Sequence, residues 1–177
     1  MQRVLQIDTR QQAHKHDRKH ADFERMGIPS VRSKLAAGDY AYAPRCAVDT
    51  KRDIYELAAC LTTQHERFAR ECDAVPGSIL VILTENDQGV ASVADLAAWV
   101  EPDADFELRC EKSKGNVRRR LVGSTLAKAC ETMHADHGTY FAFCRPEEAA
   151  ARIIEILEWG ETLADSDGTV GAGTRGA

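Results

Sequence analysis

The sequence predicts an α/β domain built on a central mixed sheet flanked by helices. Three observations carry this. Ile79-Leu80-Val81-Ile82-Leu83 is apolar on both faces, as in a central strand buried on two sides and parallel to a neighbour across a helix. Short strand-like runs at 3–8, 28–35, 40–42 and 46–51 carry the apolar spacing and turn signals of strands. Longer segments at 53–73 and after 146 carry apolar stripes at helical spacing.

A chain of 177 residues is most simply one domain with a real core, placed at residues 1–164. The polar, Gly-rich stretch 165–177 is expected to be a disordered tail. Net charge is −5, which argues against a generally basic nucleic-acid coat. No apolar run approaches a membrane span and the start lacks a signal-peptide pattern, so the expected compartment is the cytoplasm. The six cysteines form no Cys-x-x-Cys pair and read as reduced, buried thiols.

Taken in order, Val4, Leu5 and Ile7 make the first strand, and Asp8 closes it at the end where ligands gather on open α/β sheets. A lone Asp there is also a common turn former. Residues 11–20 hold His14, His16 and His20, but Lys15, Arg18 and Lys19 beside them would repel a cation. A solvated loop is expected, leading into a short helix at 21–26 that Gly27 and Pro29 stop. Residues 28–35, Tyr40-Tyr42 and 46–51 read as a meander, with turns at Gly38-Asp39 and Pro44-Arg45, whose tips converge near Asp39. One helix is expected over 53–73, with Asp53 and Glu56 as a capping box. Gln64, Arg67 and Glu71 share a flank of it, where Arg67 and Glu71 are either an i,i+4 ion pair or, beside a metal site, a phosphate-holding Arg67 and a Glu71 that orients a lysine or water.

Glu85 ends the central strand near the tips of the others, and Ser92 caps a helix over 92–100. Residues 102–115 read as irregular. The densest basic run follows: Lys112, Lys114, Arg118, Arg119 and Arg120, either a solvated face or a DNA-contacting loop and helix start. Positions 117, 121, 126 and 133 give the next helix its stripe, and His134 and His137 suit its end. Residues 139–144 make a last strand. Pro146 opens the final helix, striped by Ala149, Ile153, Ile156, Leu157 and Leu163.

The chemistry concentrates in residues 38–51. Side chains alternate along a strand, so Val48 points one way while Asp49 and Lys51 share the other face. With Asp39 delivered by the preceding turn, that face can hold a hard divalent cation beside a fixed positive charge. Such a site suits phosphodiester hydrolysis.

Asp39 followed by Asp49-Thr50-Lys51 resembles the acid…(Asp/Glu)-x-Lys signature of PD-(D/E)xK nucleases. More narrowly it is similar to the XPF-type endonuclease domain, whose pattern is Gly-Asp, a spacer, then Glu-Arg-Lys-x-x-x-Asp. Val4 to Arg10 matches that family's opening strand ending in Asp-x-Arg, and Arg67 and Glu71 fall where the family has an Arg and a Gln. The match spans roughly residues 3 to 160.

The resemblance implies a restriction-endonuclease-like core and a Mg²⁺- or Mn²⁺-dependent DNA endonuclease, with branched or flap DNA as the candidate substrate. Asp39 and Asp49 would hold the metal with help from Asp8; Lys51 would stabilise developing charge and Arg67 would hold phosphate. Arg10, Arg52, Lys112, Lys114, Arg118, Arg119 and Arg120 would contact DNA. It also implies a homodimer through the last two helices. The sequence has no helix-hairpin-helix module and so resembles stand-alone members carried by phages and mobile elements. Three positions depart: Asp49 stands for Glu, Thr50 for Arg, and Tyr55 for the motif's last Asp. The alternative is a catalytically inactive DNA-binding subunit of a nuclease complex. A base role for Lys51 would require a depressed pKa.

Overall fold

The structure, a computed structural model, describes residues 3–12, 14–42, 45–74, 77–114, 116 and 119–168. It holds a six-stranded mixed sheet between two helical layers. The strands are β1 (Leu5–Asp8), β2 (Ser30–Ser33), β3 (Tyr40–Tyr42), β4 (Cys46–Lys51), β5 (Ile79–Glu85) and β6 (Tyr140–Cys144), in the order β2-β1-β3-β4-β5-β6. The helices are α1 (Asp17–Arg25), α2 (Ile54–Leu61), α3 (His65–Cys72), α4 (Val93–Ala98), α5 (Asp103–Lys112), α6 (Gly123–His137) and α7 (Ala149–Gly168).

β5 shows why the sheet is buried on both faces. Leu80 and Ile82 pack with Leu57 of α2 and Leu126 and Met133 of α6. Val81 and Leu83 pack on the other side with Phe23 of α1 and Ile153 and Leu157 of α7. Each side chain of this size taken fully out of water contributes about 1.5–3 kcal/mol. β4 runs parallel to β5 and β5 to β6, while β3 is antiparallel to both β1 and β4.

The opening strands are not a simple meander. α1 carries the chain from β1 to β2 as a parallel crossover, so β2 becomes an edge strand and β3 returns on the inner side of β1. Val31 on that edge is half exposed. The helix expected at 21–26 begins four residues earlier, at Asp17. The solvated loop expected before it is corrected as well, since His16 and Lys19 are buried.

The single helix expected over 53–73 is two. The Thr62 hydroxyl donates to Ala58 O at 2.6 Å and the Thr63 hydroxyl to Ala59 O at 3.2 Å. Gln64 N then reaches back five residues to Ala59 O, and Thr62 leaves helical backbone geometry. Side chains that bond to the backbone in this way bend and interrupt helices. The Asp53 cap holds: its carboxylate accepts from Glu56 N at 2.7 Å, while Glu56 accepts from Arg52 N.

Residues 103–112, expected to be irregular, are helix α5. It buries no residue fully, so the apolar stripe that signals a helix is missing. Polar contacts dock it instead: Tyr55 donates to Asp105 at 2.7 Å, and Arg109 forks onto the fully buried Glu101 at 2.5 and 2.8 Å. α4 and β6 form where expected, with Ser92 accepting from Asp95 N. The six cysteines are free thiols and all but Cys110 are buried. α7 continues through 165–168; the rest of the expected tail, Pro44 and Val117 lie outside the described residues, as does the Leu163 side chain.

α6 begins against α4 with no room to spare. A Cβ on Gly123 would sit 2.2 Å from Leu96 O and 2.4 Å from Trp99 O, both backbone atoms. Gly123→Ala should therefore cost about 2–3 kcal/mol and lower the thermal midpoint by about 5–10 °C. A melting curve checks this; an unchanged midpoint would contradict the packing described.

Candidate active site

The site forms at the carboxyl ends of β1 and β4 and in the turn before β3. That turn needs a glycine: Gly38 has φ +77°, and a Cβ there would lie 2.9 Å from Val48 O. The turn places Asp39 and the sheet fixes it. Asp39 N donates to Val48 O at 2.8 Å, and its carbonyl accepts from Asp8 N at 2.9 Å and from Gln11 Nε2 at 3.0 Å. Its Oδ2 accepts from Thr50 N at 2.9 Å and from the Thr50 hydroxyl at 2.5 Å. Thr50, which departs from the family's arginine, thus works as an anchor for Asp39.

The expected alternation on β4 holds. Val48 enters the α1/α7 core, while Asp49 and Lys51 face α2 and α3. Asp49 and Lys51 form a buried ion pair, and the ammonium also sits 5.6 Å above the Phe68 ring of α3. Burial, with the nearby Asp39 and Glu71 carboxylates, outweighs the pull of Lys51 and pushes the Asp49 carboxyl up to about 7. Burial acts to lower the Lys51 ammonium, but Asp49 and further acidic neighbours outweigh it and the pKa is raised. This direction is the opposite of the depressed pKa that a base role for Lys51 would require.

Two hollows meet at Asp39 and Asp49. One, of about 430 Å³, adds Asp8, Arg10, Gln11, Arg67 and Glu71. The other, of about 280 Å³, adds Lys51, Lys15, Glu56, Gln64, Arg67 and Glu71. The structure thus brings together Asp8, Asp39, Asp49, Lys51 and Arg67, as the sequence predicts. Arg67 stands exposed on the rim and makes no ion pair with Glu71 among the described residues, so the i,i+4 alternative does not form.

Asp8 arrives with its charge already met. Arg10 donates to it from its backbone N at 2.8 Å and from Nε at 3.0 and 3.1 Å, and a further bond ties Arg10 to Leu35 O at 2.7 Å. Burial alone would raise the Asp8 carboxyl, but the Arg10 bonds outweigh it and hold it below the usual range. Arg10, expected on DNA, closes over Asp8. Glu85, expected near the site, lies on the opposite sheet face with Val81 and Leu83, in a buried ion pair with Lys19.

Among the described residues, no group of three or more His, Cys, Asp or Glu side chains is placed to hold a metal alone. The donor set still suits a hard cation that keeps water. Oδ1 of Asp39 and Oδ1 of Asp49 accept no hydrogen bond among the described residues, and four carboxylates, Asp8, Asp39, Asp49 and Glu71, line one hollow. Mg²⁺ is commonly held by one or two carboxylates plus water and substrate phosphate.

Of the basic residues expected on DNA, Arg120 is engaged within the fold. It lies 4.6 Å over the Phe106 ring, pairs with Asp103 at 2.8 Å and donates to Glu101 O at 3.1 Å. Lys112, Lys114 and Arg119 are exposed, and Arg118 lies outside the described residues. Arg52 is exposed beside Asp53 and Glu56.

Sequence reasoning missed the residues behind Asp39. His16 is buried, its Nδ1 2.9 Å from the Tyr40 hydroxyl and its Nε2 3.9 Å from Asp39 Oδ1. Burial lowers it to about 4, so it is neutral at pH 7. A signal existed: His16, Lys19, His20 and Phe23 recur at helical spacing and face inward along α1.

No protein-family model matches this sequence, and no curated protein matches it. Among solved structures, the fold is similar to XPF from Aeropyrum pernix at 15% identity and a TM-score of 0.56, covering 88% of this chain and 60% of that one. A second structure, the same protein in complex with DNA, is similar at 15% identity and a TM-score of 0.57, covering 91% and 66%. The chain thus spans three fifths to two thirds of those structures. The likeness shows a shared α/β fold, a mixed six-stranded sheet flanked by helices.

The raised Asp49 pKa makes a signed prediction. Its carboxyl binds its proton more tightly folded than unfolded, so this group contributes stability that is full below pH 4 and lost as pH rises to about 7. The slope reaches at most about 1.4 kcal/mol per pH unit. Comparing urea melts of the wild type and Asp49→Asn from pH 4 to 8 should show that the variant loses this component; parallel curves would contradict the buried-acid picture.

Proposed function

We propose that this protein is a Mg²⁺- or Mn²⁺-dependent DNA endonuclease. The observation that carries the reading is the single sheet face on which Asp39 and Asp49 line two shared hollows beside the buried Lys51 ammonium. The fold shared with the XPF structures, one of them bound to DNA, supports it.

Asp39 and Asp49 would hold the metal through their open oxygens, and Asp8 could join them only if Arg10 released it. When bound, the metal would acidify a water and neutralise phosphate oxygen. The rest falls to the protein. Lys51, kept charged by its acidic neighbours, stabilises negative charge that grows on the scissile phosphate. Arg67, exposed on the rim of both hollows, takes a phosphate oxygen. Glu71 lines both hollows and adds to the raising of Lys51 that Asp49 leads. Thr50 and Gly38 keep Asp39 in place and Phe68 keeps Lys51 in place. Lys112, Lys114 and Arg119 are exposed and would follow the DNA backbone, and the exposed Arg52 would join them by leaving its pairing with Asp53. Branched or flap DNA is the proposed substrate, and a homodimer through α6 and α7 the proposed assembly.

The test is cleavage of labelled branched, flapped and linear DNA with Mg²⁺ or Mn²⁺. Wild type should cut, and Lys51→Ala and Asp49→Asn should each lose about 10²–10³-fold in rate. Intact DNA binding with no cutting of any substrate would overturn the enzyme and favour an inactive binding subunit.

A further inference from the structure

Behind Asp39, on the side away from Thr50, buried and partly buried polar groups form a closed circuit. Gln11 Nε2 lies 3.0 Å from Asp39 O, and Gln11 Oε1 lies 3.1 Å from His20 Nε2. His20 Nε2 is 3.5 Å from the Tyr40 hydroxyl, which is 2.9 Å from His16 Nδ1. His16 Nε2 returns to Asp39 at 3.9 Å from Oδ1. Every member comes from the segment that leads into α1, from α1 itself, or from the start of β3. Tyr40 is fully buried, and Phe23 holds its ring edge-on at 5.4 Å.

The circuit fixes where the protons lie. Asp39 O can only accept, so the Gln11 amide nitrogen must face it and donate. Gln11 Oε1 then faces His20 and can only accept, so His20 carries its proton on Nε2. That N–H also points at the Tyr40 oxygen, which has Gln11 beside it as well, and we assign the Tyr40 proton to its 2.9 Å contact with His16 Nδ1. His16 is thereby left with its proton on Nε2, the nitrogen that faces Asp39.

We propose that His16 is a positioning residue for Asp39: its Nε2–H, oriented through Tyr40, holds Oδ1 of Asp39 in the direction a bound cation needs. The 3.9 Å gap is too long for a hydrogen bond, so Oδ1 feels the N–H dipole and keeps its lone pairs for a ligand. Thr50 fixes Oδ2 by two bonds and His16 steers Oδ1, which together set the plane of the carboxylate. The same proton assignment excludes His16 as a metal ligand, since its facing nitrogen has no free lone pair. Groups that orient a ligating side chain in this way commonly govern metal affinity by 10–100-fold. The inference rests on the metal-dependent reading of the site.

Two measurements test it. Nitrogen-15 chemical shifts of the imidazoles in the wild type report the tautomer without metal or DNA. The expected pattern is a protonated Nε2 and an unprotonated Nδ1 at His16; the reverse would overturn the proposal. Calorimetric titration of Mn²⁺ then compares His16→Gln, whose amide nitrogen replaces Nε2–H, with His16→Leu, which has no donor. His16→Leu should weaken Mn²⁺ binding about 10-fold and lower kcat with DNA KM unchanged, and His16→Gln should recover most of both. Equal Mn²⁺ affinity in wild type and His16→Leu, with both folded by circular dichroism, would overturn it. Wild type that neither binds Mn²⁺ nor cuts DNA would sink the nuclease reading and the steering role with it, while the tautomer would stand.

Discussion

The site depends on how tightly Asp39 is placed. A left-handed glycine turn closes against Val48, and the next residue has its backbone N–H, its carbonyl and one carboxylate oxygen all committed to β1, β4 or Gln11. Only Oδ1 is left for a ligand. A short carboxylate held by this many bonds loses little freedom when it takes up a cation, which is the advantage of preorganisation. Thr50 takes over part of the work: where the resembling family has an arginine, this chain has a small hydroxyl that reaches Asp39 directly. The departure from the motif and the rigidity of Asp39 are one feature.

The protein buries three ion pairs among the described residues. Asp49 and Lys51 are both about nine-tenths out of solvent, and this burial, with Asp39 and Glu71 adding to it, raises Asp49 despite its partner. Lys19 and Glu85 form a second buried pair across the sheet, and Glu101 with Arg109 a third that docks α5. Replacing such pairs with apolar residues often leaves a protein as stable or more so. The first of the latter two ties α1 to β5, which also meet through Phe23, Val81 and Leu83, and the second ties α5 to the residues just before it. The Asp49–Lys51 pair is different: it lies open to two hollows and holds an acid near neutrality, as sites with a chemical task do.

Much of this was legible in the sequence, because period-2 and apolar signals are strong where burial is strong. β5 was readable from five apolar residues, and the common face of Asp49 and Lys51 followed from strand geometry alone. What failed were elements held by polar contacts. α5 has no apolar stripe, and α1 begins with buried His16 and Lys19, whose charged neighbours read as solvated. The break after Leu61 came from threonine hydroxyls that a hydrophobic pattern does not register. The parallel crossover of β1 and β2 was lost for another reason: short strands with little apolar signal are compatible with several pairings. At Arg10 and Arg120, the residue type fitted DNA contact, but the structure shows each engaged with carboxylates of the chain itself.

The proposed activity requires that Asp39 and Asp49 together make a cation site. The most direct measurement is a calorimetric titration of Mn²⁺ into wild type, Asp39→Asn, Asp49→Asn and Asp53→Asn, the last removing a carboxylate that only caps α2. Saturable binding in wild type and Asp53→Asn, weakened by 10-fold or more in the other two, is the predicted result. Binding that is absent from wild type, or equal in all four proteins, would contradict it.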